Sequence, residues 1–332
     1  MDPITQGALG AALPLSFSKR SKLKLTALLG CFAGMAPDID IFIRSANDPL
    51  LFLEFHRQFT HSLVFIPIGA LICALIAYRW TKKEMAFKAS YLICLLGYST
   101  HALLDACTSY GTMLAWPFSY IRIAWNNISV MDPMMTIPLL LLVIFTVKLR
   151  KPTLARIGMF WVFGYLSLGV FQNTRTEAFG LDIANARGHY PDSVSAKPGL
   201  GSLLLWKVIY EWEGRYYVDG VRSGWALTSY EGSSIEKLDL SKDLTWLKPG
   251  SQQAKDLKRF DWFSHGFLAI DVEDPHLIID MRYSVLPNEI KAMWGIRFDT
   301  EAGPDQHVEY LTFRDLSSDR RDRLWTMLIG VH

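Results

Sequence analysis

Two stretches of this chain combine histidine with carboxylate at spacings that suit a divalent cation. His56-Arg57-Gln58-Phe59-Thr60-His61 stands directly before the apolar run Ser62–Trp80, and His101-Ala102-Leu103-Leu104-Asp105 lies inside the run Ala86–Cys107. His101 and Asp105 are four apart, so on a helix both side chains project from one face and reach one ion. His56 and His61 are five apart and share a face only if a helix begins between them, where Thr60 or Ser62 would cap its start. Asp38 and Asp40, in Pro37-Asp38-Ile39-Asp40, and Asp132, before Pro133, supply further carboxylates. Imidazole and carboxylate together are common donors for zinc or manganese. The expected ligands of such a divalent metal ion are His56, His61, His101 and Asp105, joined by Asp40 and Asp132. A carboxylate left off the ion, Asp38 or Asp40, would act as general base, and Arg57 would pair with an anionic substrate group. Each piece alone has a plainer reading. Asp38 and Asp40 suit a turn, Asp132 an N-cap, and His101 with Asp105 a structural hydrogen-bonded pair.

The elements that must position these groups are apolar. The 332 residues are 50% hydrophobic and 13% aromatic, and the mean hydropathy is +0.16. That is too apolar for an ordinary soluble domain and too polar for a chain that is membrane throughout, so a membrane part and a soluble part are expected. Five runs read as hydrophobic helices: Leu25–Ile43, Ser62–Trp80, Ala86–Cys107, Met134–Val147 and Ile157–Gln172. A sixth, Ile4–Phe17, is short and rich in Gly and Ala, which allows close helix packing in lipid. The fold class expected is a membrane α-helical bundle of five or six hydrophobic helices, followed by a small soluble α+β domain. The start, Met1-Asp2-Pro3, lacks the positive region of a signal peptide, so insertion is expected to rely on the internal helices. Cys31, Cys73, Cys94 and Cys107 all lie in apolar runs without a C-x-x-C pair and read as packing residues.

Charge sets the expected orientation. Lys19, Arg20, Lys22 and Lys24 fill the first loop; Arg79, Lys82, Lys83 and Lys88 surround the third; Lys148, Arg150, Lys151 and Arg156 surround the fifth. The alternate loops hold only Arg44, Arg57 and Arg122. The rich loops are therefore expected in the cytoplasm, and the chain from about Asn173 onward in the periplasm. On that topology Asp38, Asp40, His56, His61, His101, Asp105 and Asp132 all map to the outer side, although none of them contributed to the assignment. A net charge of +2 with no basic stripe argues against nucleic acid as a partner. Membrane lipids and a lipid or envelope-derived substrate fit better.

From residue 174 to 332 the pattern changes. Leu203–Tyr210 and Arg215–Arg222 alternate around Glu213-Gly214 as a hairpin would, and Phe267–Val272 and Leu277–Val285 do so around Asp274-Pro275. Trp294–Phe298 and Val308–Phe313 could add strands, and Ser317–Ile329 reads as a terminal helix. The division expected is a membrane domain over 1–173 and an extracytoplasmic α+β domain over 174–332. His189, His265, His276, His307 and His332 read as surface or packing residues.

Six ordered motifs carry a family resemblance: Met1-Asp2-Pro3-Ile4-Thr5-Gln6; Pro37-Asp38-Ile39-Asp40; His56 through Ser62; His101 through Asp105 with Thr108, Tyr110 and Gly111; Trp116-Pro117-Phe118; and Met131-Asp132-Pro133. Over roughly Met1–Leu142 the chain resembles the YdjM-like family of LexA-regulated, inner-membrane-associated proteins described as metal-dependent hydrolases. The resemblance implies a multi-pass bacterial membrane protein and a metal-dependent hydrolase, with His56, His61, His101, Asp38, Asp40 and Asp105 as the family's polar signature. Members differ at position 6, so Gln6 is left out of the expected ligands. The rival readings are a metal-stabilised membrane scaffold and a transporter, both without hydrolytic activity.

Overall fold

The computed structural model describes Met1–Gly330 apart from Arg314 and Leu316, so His332 lies outside the described residues. It divides into two units, one formed by Met1–Ile43 with Phe55–Val170 and the other by Arg44–Glu54 with Phe171–His332.

The first unit is helical. Its elements are α1 (Pro3–Leu15), α2 (Leu23–Met35), a 3₁₀ stretch Ala36–Phe42, the end of the short α3 (Leu51–Phe55), a 3₁₀ turn Phe59–His61, α4 (Ile66–Thr81), α5 (Phe87–Ala106), α6 (Pro133–Leu149) and the first half of α7 (Pro152–Ala186). Helix α1 starts where Asp2 accepts the Thr5 amide at 3.0 Å and Pro3 fixes the first turn. Helices α1, α2 and α5 then meet along glycines. A Cβ at Gly10 would stand 2.6 Å from the Gly30 carbonyl oxygen, and one at Gly97 would stand 2.6 Å from the same atom. Only the missing side chains permit backbones this close.

All six apolar runs are helical, but fewer of them are clear membrane spans than five or six. Among the described residues, Arg20–Phe42 and Pro152–Ala186 are long and apolar enough to cross a membrane. A third span results if Leu51–His61 and Ile66–Thr81, bent by 84° at their break, are taken as one. The physical reasons are length and polarity. Helix α1 has 13 residues and α6 has 17, against ~20 for a full span. Helix α5 has the length, but carries Ser90, Ser99, Thr100, His101 and Asp105.

The second unit contains two four-stranded antiparallel sheets, ordered β1-β2-β3-β4 (Val194–Pro198, Leu205–Trp212, Arg215–Ser223, Leu227–Glu236) and β5-β6-β7-β8 (Leu268–Ile270, Leu277–Asp280, Trp294–Arg297, Glu309–Thr312). Helices α8 (Gln252–Ser264) and α9 (Ser318–Ile329) complete it. Strands β2 and β3 pair from Trp212↔Arg215 outward across Glu213 and Gly214, both at positive φ, the backbone of a two-residue hairpin turn. One core cluster joins both sheets, with Ile209, Tyr216, Val218 and Ile235 from the first and Ala269, Leu277 and Ile279 from the second. Two of the histidines here have close polar partners that the sequence did not suggest. His189 Nδ1 lies 3.0 Å from the Tyr210 hydroxyl and His307 Nδ1 lies 2.8 Å from Asp256.

The same unit buries a lysine. Lys207 is 4% exposed, and its Nζ donates to Ser284 Oγ and to the Glu289 carbonyl, both at 2.8 Å. Burial pushes its pKa down from 10.5 to about 7. Between about pH 7 and 10 the unfolded chain therefore binds one more proton than the folded one, so stability rises with pH through that window. The rise is on the order of several kcal/mol. Lys207→Met is expected to flatten this profile, as denaturant unfolding followed by tryptophan fluorescence at several pH values would report. A slope unchanged from the parent chain would refute it.

Candidate metal centre

The carboxylates of Asp38 and Asp40 are presented by the 3₁₀ stretch that continues α2. With about three residues per turn, positions i and i+2 point apart, and the two side chains take different partners. Asp38 Oδ1 lies 3.3 Å from His101 Nε2 and 3.6 Å from His61 Nε2. Asp40 Oδ1 meets His56 Nδ1 at 2.7 Å, while its Oδ2 accepts the Arg57 backbone N–H at 3.0 Å and the Thr60 hydroxyl at 2.6 Å.

His56 and His61 converge through a 3₁₀ turn, with no α-helix beginning between them. Helix α3 ends at Phe55 and α4 starts only at Ile66, after both. The chain turns instead at Arg57, whose φ of 64° is a left-handed backbone in a non-glycine residue. Thr60 does not cap a helix; its hydroxyl holds Asp40. Helix α5 places His101 and Asp105 one turn apart, and Asp105 Oδ2 lies 3.7 Å from His101 Nε2 and 3.3 Å from His61 Nε2.

The hydrogen atoms in this cluster can be assigned. His101 Nδ1 is 2.6 Å from the Gly34 carbonyl, which only accepts, so Nδ1 carries the proton. His61 Nδ1 lies 2.9 Å from the Thr60 hydroxyl oxygen and 3.2 Å from Asp40 Oδ2, and because that hydroxyl donates to Asp40, Nδ1 is the donor in both contacts. The two Nε2 atoms then face each other across 2.9 Å. Asp38 Oδ1 and Asp105 Oδ2 add two more electron-rich atoms, and all four lie within 4.8 Å of one another. A cation held among the donors would relieve the repulsion between them, as would a proton shared by the two Nε2 atoms. Tetrahedral ligands about 2.0–2.1 Å from zinc stand ~3.3 Å apart, which falls within the 2.9–3.7 Å observed for these pairs. The Asp40–His61 and Gly34–His101 contacts are also the kind that orients metal-binding imidazoles.

A second group, Asp38, Asp40 and His56, adjoins the first through Asp38. His61, His101 and Asp105 are fully buried, whereas the Asp38 and His56 side chains are each 18% exposed, so the cluster opens on their side.

Of the remaining expected site residues, Arg57 is close by and Asp132 is not brought to the cluster. The Arg57 guanidinium sits 2.9 Å from Asp105 Oδ2, donates to Thr108 Oγ1 at 2.9 Å and lies over the Tyr110 ring. Asp132 accepts the Met134 and Met135 amides at the start of α6 and the Tyr165 hydroxyl at 2.9 Å. Residues outside the expected set also contribute. The Met1 amino group donates to Asp105 Oδ1, Gln6 Nε2 donates to the same oxygen at 2.9 Å, and the Tyr98 hydroxyl donates to the Thr60 carbonyl. Gln6 carried a signal, being polar in an otherwise apolar first helix. The Gly34 carbonyl carried none, because a backbone acceptor has no sequence signature.

Comparison with known proteins agrees with the helical half. A family profile described as YdjM inner membrane protein matches residues 1–176, just over half of the chain. The inner membrane protein YbcI of Escherichia coli (strain K12) is 27% identical over 113 residues, which are 34% of this chain. The match spans 64% of that relative's own length. No solved structure matches the chain.

Proposed function

The chain belongs to the YdjM inner membrane protein family, and on that premise we propose that it is a membrane-bound metal-dependent hydrolase. His61, His101 and Asp105, three of the four clustered donors, would hold a divalent cation and leave Asp38 free beside it, with zinc or manganese suiting a nitrogen and oxygen donor set that lacks cysteine. The observation that carries this reading is the opposed pair of imidazole Nε2 atoms, 2.9 Å apart with both Nδ1 hydrogens committed elsewhere. A cation held there supplies Lewis acidity, which polarises a carbonyl or phosphoryl oxygen and acidifies water.

The side chains do the rest. Asp38, the exposed carboxylate of the set, takes a proton from the attacking water. Asp40 fixes the His56 and His61 rings, and Arg57 fixes Asp105 and adds positive charge beside the donors. The substrate class is a lipid or envelope-derived phosphoester or ester, met at the outer face of the inner membrane. Two contacts support that side. Lys22 pairs with Glu84, and Arg156 donates to the Ser16 carbonyl, so basic loops gather at the end of α1, α2 and α5 away from the donors. A periplasmic C-terminal domain completes the topology.

The test is a panel of phosphoesters and lipid esters offered to the full chain in lipid, loaded with zinc or manganese. Asp38→Asn is expected to stay folded and lose at least ~100-fold in turnover. A parent chain that binds metal and hydrolyses nothing would favour the scaffold reading instead, in which the full burial of His61, His101 and Asp105 marks a structural ion.

A further inference from the structure

We propose that Arg259 is a positioning residue for the donor cluster, an inference that rests on reading that cluster as a metal site. The stretch Arg44–Glu54 lies in sequence between Asp40 and His56, yet it packs within the C-terminal unit. One guanidinium on α8 holds it there. Arg259 directs Nη1 and Nη2 at the two oxygens of Asp48 at 3.0 and 2.9 Å, and Nε at Glu54 Oε1 at 2.5 Å. Bidentate pairing of this kind fixes direction as well as distance. The guanidinium is itself anchored by fully buried Asp256, which accepts from Nη1 at 3.0 Å and is held by His307 Nδ1 at 2.8 Å.

The captured stretch has little freedom of its own. Asp48 accepts the Leu50 amide at 3.0 Å, Leu50 and Leu53 are buried, and the Phe52 ring meets Tyr310 edge-on at 5.2 Å. Glu54 belongs to α3, and Phe55 alone separates it from His56. One residue spans at most ~3.6 Å, so a displacement of Glu54 is passed to His56 and to the left-handed Arg57. The Arg57 amide donates to Asp40, which in turn orients His61. A strained backbone of this type persists only while its surroundings hold it. The clamp on Asp48 and Glu54 is such a hold, applied from a residue more than two hundred positions away in sequence.

The experiment uses the full chain in lipid with Asp48→Asn and Glu54→Gln combined, which removes both negative charges and the two-oxygen fork at Asp48 and leaves the Arg259–Asp256 pair. Amide hydrogen exchange is read without metal, and zinc affinity is read by titration with zinc alone. Exchange across residues 55–62 is expected to rise at least ~10-fold, with α8 unchanged, and zinc affinity to fall roughly 10–100-fold. Arg259→Lys, which keeps a point charge but not the fork, should fall between. Unchanged exchange together with parental zinc affinity would overturn the inference while leaving the metal site standing. Faster exchange in a chain whose parent binds no zinc would refute the metal reading and support the positioning role.

Discussion

His101→Ala is expected to abolish divalent-cation binding, and His61→Ala to do the same, with affinity falling by at least ~100-fold in each case. The two imidazoles carry the argument for the site because their orientation is fixed from behind. His101 is held by the Gly34 carbonyl and His61 by Asp40, so both turn Nε2 inward. Deleting either ring removes a nitrogen donor and leaves a cavity that a small methyl cannot fill. The effect has a second readout in stability. A ligand that binds only the folded chain adds about 2.7 kcal/mol at a hundredfold excess over its dissociation constant. Zinc or manganese should therefore raise the melting temperature of the parent chain, chelator should reverse the rise, and neither should move His101→Ala. His56→Ala should cost less, since His56 lies outside the four-donor group and belongs to the second group, which adjoins it through Asp38, and Asp132→Asn should leave the metal content as it was. Elemental analysis of the purified variants decides the matter, and a metal-replete His101→Ala protein would end the metal reading.

How far the sequence reveals this arrangement differs from element to element. The helix carrying His101 and Asp105 was legible because a four-residue spacing has one geometric consequence on a helix. The hairpin at Glu213-Gly214 was legible because the turn and the alternation around it are both local signals. The convergence of His56 on Asp40 was less so, for it depends on a left-handed Arg57 that no local pattern demands. Strand β4 has no such signal because its residues Leu227–Glu236 are mostly polar and only partly covered, with Ile235 the one buried position. Helix α8 went unread because its buried Leu257, Phe260 and Phe263 are interleaved with charge. Clear spans are fewer than apolar runs, since an apolar run announces a helix but not its length: α1 has 13 residues, α6 has 17, and a break precedes Ile66. The capture of Arg44–Glu54 was beyond reach. Asp48 and Arg259 are 211 positions apart, and nothing local to either names the other.

Gly97→Ala is expected to damage both stability and metal binding, although it adds one methyl group and touches no ligand. The added Cβ would stand 2.6 Å from the Gly30 carbonyl oxygen, 3.0 Å from Gly30 Cα and 3.1 Å from the Gly10 carbonyl oxygen. All three are backbone atoms, which cannot rotate aside as a flexible side chain would, so α5 must move away from α1 and α2. Overpacking of this kind costs about 1–3 kcal/mol. The displacement also reaches the chemistry. The Gly34 carbonyl that holds His101 lies on α2, and Gln6, which holds Asp105, lies on α1. Separating the helices loosens both contacts at once, and a metal site whose supporting groups are loosened loses roughly 10–100-fold in affinity. The same substitution at Gly164 supplies the control, because a Cβ there meets nothing within 4 Å. On α7, Gly164→Ala should be neutral or stabilising by up to about 1 kcal/mol through helix propensity alone. Thermal unfolding in lipid and zinc titration of the two variants test this directly. Equal behaviour at positions 97 and 164 would mean that glycine contact between α1, α2 and α5 does not hold the donors in place.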